Sequence, residues 1–128
     1  MSKKAIIITD GTKSIESLAK PIKQALAGFS VNIYQADKFA GNDLFPADIF
    51  FLGAENPNPP SFSYLEEMLA HINLASRKCA VFSTSQKALK YLGDILKDSE
   101  AAQGETLLSL DGDYQESDIN KWVKGLLK

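Results

Sequence analysis

The sequence has very little of the chemistry that usually identifies an enzyme or a metal site. Its 128 residues include one cysteine, Cys79, and one histidine, His71. A single cysteine cannot form an internal disulfide, and His71 has no cysteine, histidine or carboxylate at the spacing of metal ligands. Cys79 also lies in an apolar run, far along the chain from any candidate base. We therefore predict no metal site and no catalytic residue.

Long apolar runs and a strong charge of one sign are also missing. A membrane-spanning helix needs roughly 20 apolar residues, and no run approaches that length. The net charge of −2 provides no basic field for nucleic acid. We therefore expect neither a membrane span nor nucleic-acid binding. With no signal-peptide pattern, the expected location is cytoplasmic.

The sequence does contain apolar runs that alternate with helix-period patterns. The hydrophobic share of 45% is enough for one core, so we predict a single domain over residues 1–128. Strands that alternate with helices imply right-handed crossovers and a parallel sheet covered on both faces. We predict a three-layer, doubly wound α/β fold with five parallel strands in the order 2-1-3-4-5. The predicted strands are centred near Ala5, Val31, Phe50, Val81 and Leu108.

The first strand leads into a polar turn and then a helix. The turn runs from Asp10 to Ser14, and apolar residues at helical spacing follow from Ile15 to Leu26. Unpaired backbone N–H groups and the helix dipole favour an anion at such a helix start, and phosphate is the leading candidate. The alternative is an ordinary polar turn with Ser14 as the helix N-cap.

The expected ligand site lies beyond the carboxyl ends of strands one and three, where the strand order reverses. The loops 10–14, 54–63 and 84–86 should meet there. Asp10 at this position would suit a phosphorylated receiver domain, but that chemistry needs a carboxylate at the end of strand three. The chain has Leu52 and Gly53 there, which excludes the receiver reading.

The segment Thr9-Asp10-Gly11-Thr12-Lys13-Ser14 resembles the phosphate loop of flavodoxins, Ser/Thr-x-Thr-Gly-x-Thr. Thr9 and Ser14 match that pattern, and the central Thr-Gly pair is reversed. The run Lys78 to Ser83 is similar to the fourth strand of short flavodoxins, and Ser117 to Val123 is similar to their terminal helix. The resemblance covers nearly the whole chain. It implies a flavodoxin-like fold that binds FMN noncovalently and transfers electrons.

The resemblance also implies which residues contact FMN. Its phosphate would lie in the loop after strand one, and its ring between aromatic side chains of the loops after strands three and four. The expected contacts are Thr9, Asp10, Gly11, Thr12, Lys13, Ser14, Gly53, Ala54, Glu55, Asn56, Phe62, Tyr64, Ser83, Thr84 and Ser85. Only Phe62 and Tyr64 among them are aromatic, and packing within the protein is the alternative role for both. We expect weaker FMN binding than in typical flavodoxins.

Two other functions fit the same residues. A flavodoxin-like fold without cofactor could present its loop face, especially the stiff Pro57–Pro60 segment, to a protein partner. An enzyme acting on a small phosphorylated substrate is the third reading, but the sequence offers no nucleophile or base. An electron carrier or binding module is therefore expected rather than a catalyst. Its partners would be FMN or another phosphate-bearing ligand, and a redox or other protein.

Overall fold

The structure is a computed structural model that describes residues 3–39, 47–72, 74, 77–104, 106–108 and 116–127. Strands and helices alternate along the chain, as the sequence predicts. The elements are β1 (Lys3–Thr9), α1 (Lys13–Ala25), β2 (Phe29–Gln35), β3 (Ile49–Gly53), α2 (Ser63–Leu69), β4 (Lys78–Ser83), α3 (Gln86–Leu96), β5 (Ala102–Gln103), β6 (Leu107–Leu108) and α4 (Glu116–Leu126). Short 3-10 turns occupy Ala36–Lys38, Pro60–Phe62 and Lys97–Ser99.

The four full-length strands form a parallel sheet in the order β2-β1-β3-β4. Ile7 in the middle of β1 lies opposite Ile33 of β2 and Phe51 of β3. Phe51 in turn lies opposite Ala80 of β4. The α/β class, the parallel sheet and the position of the first strand between the second and third are therefore confirmed.

The prediction of five full strands is wrong. Beyond β4 the described residues contain only two strands of two residues each, β5 and β6, and both pair with β4. Gln103 of β5 lies opposite Cys79 of β4, and Leu107 of β6 lies opposite Phe82 of β4. The step from Gln103 to Leu107 is four residues, whereas the matching step along β4 is three. The apolar run near Leu108 does not reveal this break.

The helices cover both faces of the sheet, which gives the predicted three layers. On one face α1 and α4 pack against side chains of β1, β3 and β4. On the other face α2 and α3 pack against the alternate side chains of the same strands. The largest fully buried side chains include Phe50, Phe51, Phe62 and Phe82. Burying each such side chain contributes about 1.5–3 kcal/mol, so the core of β1, β3 and β4 is the stable frame for the loops above it.

One local expectation needs correction. The spacing of Ser63 and Glu66 predicts a capping box at the start of α2, but Ser63 lies inside the helix and the N-cap residue is Phe62, without a side-chain cap. The reason is the preceding 3-10 turn at Pro60–Phe62, which already bends the chain into a helical path. The crossover between β2 and β3 shows a 3-10 turn at Ala36–Lys38, and residues 40–46 lie outside the described part.

The two residues with reactive side chains occur where the sequence predicts them. Cys79 is buried in β4, and its burial raises the pKa of the thiol well above the ordinary value. His71 is exposed just after α2. Within the described ranges, no helix has the length and apolar character that a membrane crossing needs.

Candidate functional site

The loop after β1 lies at the carboxyl edge of the sheet, where β1 and β3 end side by side. Thr9, the last residue of β1, lies opposite Gly53 of β3 and Gln35 of β2. Gly53 is required at that position, because an added Cβ would collide with the Phe82 ring and lie 2.9 Å from Cγ2 of Ile15. The absence of a side chain thus lets the first turn of α1 pack directly over the end of β3.

Gly11 provides the sharp turn between β1 and α1. Its φ of +84° lies in the left-handed region that favours glycine. An added Cβ there would also approach Cδ of Gln35 to 3.3 Å. The sequence analysis assigned no role to Gln35, since its contact with the loop depends on the pairing of β1 with β2.

Asp10 is the hydrogen-bonding centre of the loop. Its Oδ1 accepts from the Thr12 backbone N–H at 3.1 Å and from the Thr12 hydroxyl at 2.7 Å. Its Oδ2 accepts from the Glu55 backbone N–H at 2.8 Å, and its carbonyl accepts a long bond of 3.4 Å from the Ser61 hydroxyl. Asp10 therefore joins the loop after β1 to the loop after β3.

The N-cap of α1 is Thr12, so the alternative with Ser14 in that role is wrong. Thr12 has the extended backbone of a cap residue, and its carbonyl accepts from the Glu16 N–H at 3.0 Å. Its hydroxyl makes no cap hydrogen bond, because that hydroxyl donates to Asp10. Ser14 lies one residue inside the first turn of the helix.

The backbone N–H groups of the loop divide into two sets. Those of Gly11 and Thr12 donate to side chains of the loop itself, Gly11 to the Thr9 hydroxyl at 3.3 Å and Thr12 to Asp10. Those of Lys13, Ser14 and Ile15 have no hydrogen-bond partner among the described residues. The internal pairing of Gly11 and Thr12 does not agree with the predicted anion contact at these two residues, and for Lys13 and Ser14 the contact stays a prediction.

A carboxylate of the chain itself reaches this first turn. The Ser14 hydroxyl donates to Oε1 of Glu55 at 3.0 Å, and Glu55 is half-buried. Together with Asp10, and with Glu16 in the first turn, it places three acidic side chains at the positive end of the α1 dipole. Lys13, on the same turn, is exposed. The helix start therefore combines free donors with negative charges.

The two aromatic residues expected beside a ligand ring have different environments. Phe62 is 0% exposed and lies in the core, its ring centroid 6.3 Å from that of Tyr91. In this position the Phe62 ring packs in the core, which is the alternative role that the sequence left open. Tyr64 is 53% exposed in the first turn of α2. It is the aromatic side chain on which the stacking prediction now depends.

The serines after β4 make structural hydrogen bonds. The Ser83 hydroxyl is buried, donates to the Ala54 carbonyl and accepts from the Ser85 N–H at 3.0 Å. The Ser85 hydroxyl accepts from the Ala88 N–H at 3.2 Å and so caps α3. Thr84 between them is half-buried. Ser83 therefore ties the end of β4 to the end of β3.

The remaining predicted residues follow β3. Gly53 and Ala54 are buried, while Asn56 is exposed in the loop that leads to Pro60.

A hydrogen bond that the sequence analysis missed connects α2 and α3. The Tyr91 hydroxyl donates to Oε2 of Glu66 at 3.1 Å. Burial and the Glu66 carboxylate raise the pKa of Tyr91 far above its ordinary value.

The fold is that of the flavodoxins. No protein-family model matches the sequence, and no curated protein matches it. Solved structures do match. One is a short-chain flavodoxin associated with a non-canonical PDU bacterial microcompartment, with a TM-score of 0.85 and 17% identity over 99% of this chain and 97% of that chain. The flavodoxin of Streptococcus pneumonia TIGR4 has a TM-score of 0.82 and 19% identity over 98% of each chain.

A Fusobacterium nucleatum flavodoxin variant bound to flavin mononucleotide also matches. Its TM-score is 0.70, with 12% identity over 99% of this chain and 94% of that chain. These likenesses define the class: an α/β protein with the flavodoxin fold. Within that class the chain is a divergent flavodoxin-like protein similar in length to short-chain members, which confirms the resemblance read from its loop and strands.

One solved flavodoxin of this fold holds FMN, and the donors at the start of α1 suit a phosphate in part. Three unpartnered N–H groups and the Ser14 hydroxyl are the kind of donors that hold a phosphate. The Asp10 and Glu55 carboxylates have the wrong charge for such a neighbour. The Asp10 carboxylate accepts from the backbone N–H groups of Thr12 and Glu55. The Glu55 carboxylate has one described hydrogen bond to the helix, which it accepts from the Ser14 hydroxyl. The donor set fits once the Glu55 side chain turns away.

Proposed function

We propose that the protein binds FMN noncovalently at the carboxyl edge of its sheet and carries electrons between protein partners. The observation that carries this proposal is the set of unpartnered N–H groups of Lys13, Ser14 and Ile15, next to the ends of β1 and β3. A helix start of this kind suits a phosphate. The flavodoxin fold, and the FMN in one flavodoxin of that fold, support FMN as its source.

Two regions of this chain bind different parts of FMN, the phosphate and the ring. The first turn of α1 holds the phosphate through its N–H groups and the Ser14 hydroxyl. The loop after β3, with Tyr64 as its exposed aromatic residue, borders the ring. FMN, when bound, supplies one-electron and two-electron redox chemistry.

The binding should be weak. Phe62 is in the core, and the residues Ser83 to Gln86 include no aromatic side chain, so Tyr64 is the one exposed aromatic residue that the described loops after β3 and β4 offer the ring. A base-sized stacking contact contributes about 1–3 kcal/mol, by analogy with nucleic-acid bases, and its loss lowers affinity by about tenfold to over a hundredfold. We expect the protein to purify largely without flavin.

A titration of the purified protein with FMN, followed by quenching of flavin fluorescence, tests this proposal. The Ser14 hydroxyl also holds the Glu55 carboxylate, so S14A and its control are made in a Glu55→Ala background. There S14A removes a hydroxyl ligand of the phosphate, and we expect about tenfold weaker binding. S17A is the matched control, because the Ser17 hydroxyl is exposed and donates to the Ser14 carbonyl one turn further along. Equal affinity of S14A and S17A contradicts the phosphate position, and no binding at millimolar FMN contradicts the function.

A second candidate function is a flavodoxin-like module that docks a protein partner without a cofactor. The observation that favours it is the internal bonding of the loop, in which Asp10 and Glu55 accept from Thr12 and Ser14. The exposed Pro57 and Asn58 would then lie in the docking loop, where Asn58 has a left-handed φ of 55°. Under this candidate the protein is colourless and does not respond to added FMN.

A further inference from the structure

Glu55 makes one hydrogen bond through its backbone and another through its side chain. Its backbone N–H donates to Oδ2 of Asp10 at 2.8 Å, which fixes the start of the loop after β3. Its side chain then extends to α1, where Oε1 accepts from the Ser14 hydroxyl at 3.0 Å. Every described contact of the carboxylate with the helix passes through that single hydroxyl. The side chain can rotate into solvent while the backbone bond to Asp10 remains.

The position of this carboxylate coincides with the donors that a phosphate needs. The Ser14 hydroxyl is one of them, and the free N–H groups of Lys13 and Ser14 belong to the same turn. Two anions at contact distance repel each other strongly near a protein surface, so Glu55 and a phosphate cannot share this turn. Because Glu55 belongs to the chain, it is present at a high effective concentration and competes with every free anion.

From this geometry we infer that Glu55 is a built-in competitor for the phosphate position, and that it determines how weakly the loop takes an anionic ligand. The inference concerns a specificity-determining residue, and it rests on the proposed FMN function. An FMN phosphate binds only in molecules whose Glu55 side chain has left Ser14. Asp10 does not compete in this way, because its three hydrogen bonds to Thr12 and Glu55 keep it in the loop.

The experiment compares E55Q and E55A with the parent protein and with E67Q. E55Q keeps the shape of the side chain and removes its charge, while E55A removes both. Glu67 is exposed on α2, so E67Q makes the same change of net charge away from α1. Three ligands are titrated: FMN, riboflavin, which lacks the phosphate, and inorganic phosphate. Flavin fluorescence reports the first two, and the shift in melting temperature reports the third.

We expect both Glu55 variants to bind FMN at least tenfold more tightly than the parent, and E67Q to differ by less than twofold. Riboflavin affinity should not change, because the competition concerns the phosphate alone. Inorganic phosphate should raise the melting temperature of E55Q and E55A more than that of the parent.

The outcomes separate this inference from the proposed function. If the parent binds FMN and the Glu55 variants bind it equally, the inference fails and FMN binding stands. If the variants gain phosphate binding and no protein binds FMN, the competitor role stands and the proposed function fails. Equal gains for riboflavin and FMN overturn the inference, because the effect is then not on the phosphate. No response to any ligand in any variant overturns both.

Discussion

The starts of α1 and α3 are two versions of the same structural unit. Each helix follows a central strand of the sheet, β1 or β4, and each begins at the carboxyl edge. At α3 the cap residue Ser85 accepts from the Ala88 N–H, and no acidic residue lies in the first turn. At α1 the cap residue Thr12 makes no such bond, and Glu16 and two loop carboxylates lie beside the first turn. Among the described residues, the first turn of α3 keeps two N–H groups without a partner, and that of α1 keeps three.

The difference shows that a polar turn before a helix does not by itself indicate a ligand site. In both units the sequence offers small hydroxyl residues at the end of a strand, and the sequence analysis treated both as FMN contacts. Only the hydrogen bonds distinguish them. The Ser85 cap satisfies one of the three first-turn N–H groups of α3, so among the described residues the two helix starts differ by one N–H group and by the acidic residues beside α1. In this chain Asp10 and Glu55 are the anions already present.

The largest effect on stability is expected from Gly53→Ala, which disturbs the support of the α1 unit. The new methyl group would meet the Phe82 ring and Cγ2 of Ile15 in a packed core. Overpacking of this kind costs about 1–3 kcal/mol, and we expect about 3 kcal/mol because several neighbours must shift. Urea unfolding followed by circular dichroism measures the loss.

Gly125→Ala is the control for this change. Gly125 lies inside α4 and nothing is within 4 Å of a Cβ added there. Alanine in a helix interior is about 1 kcal/mol more favourable than glycine, so G125A should stabilise the protein while G53A destabilises it. A G53A protein as stable as the parent would mean that β3 and α1 do not pack as closely as the structure has them.

The next largest effect on stability is expected from Asp10→Ala, which changes the loop after β1. Without the carboxylate, the Thr12 N–H, the Thr12 hydroxyl and the Glu55 N–H lose their acceptor. Leaving part-buried donors unsatisfied costs about 1–3 kcal/mol, and we expect about 2 kcal/mol. Urea unfolding of D10A and of D37A measures the difference, since Asp37 is exposed in the turn after β2. Equal stability of the two variants would show that Asp10 does not hold the two loops together.

The main strands and helices of this protein could be predicted from its sequence because apolar residues recur at regular spacing. The run Ala5 to Ile8 indicates a buried strand, and the stripe from Ile15 to Leu26 indicates a helix against it. The broken fifth strand was missed because an extra residue at the sheet edge leaves the apolar pattern of Leu107 and Leu108 unchanged.

The details of the site were less accessible because they depend on contacts between distant residues. Asp10 and Glu55 are 45 positions apart, and no spacing rule connects them. Phe62 and Tyr64 look alike in sequence, yet one is in the core and the other is exposed. Their separation depends on the 3-10 turn at Pro60–Phe62, which directs Phe62 inward before α2 begins.

A smaller effect on stability is expected from Ser85→Ala, which tests the start of α3. The substitution removes the hydroxyl that accepts from the Ala88 N–H. Loss of a serine cap costs about 1 kcal/mol, so the free energy of unfolding should fall by that amount. FMN affinity should stay within twofold of the parent, because the cap is satisfied without a ligand. A large loss of FMN binding in S85A would assign the α3 start to the site and remove the contrast with α1.

The smallest effect on stability is expected from Thr12→Ala, the equivalent change at the start of α1. Thr12 is also a cap residue, but its hydroxyl satisfies no helix N–H, so there is no cap bond to lose. What disappears is one hydrogen bond to Asp10, which keeps its bonds from the Thr12 and Glu55 N–H groups. A single part-exposed hydrogen bond contributes about 0.5 kcal/mol at the low end of the usual range. Side-by-side urea titrations of T12A and S85A should therefore show the larger loss in S85A. The reverse order would mean that the Thr12 hydroxyl caps α1 as the Ser85 hydroxyl caps α3.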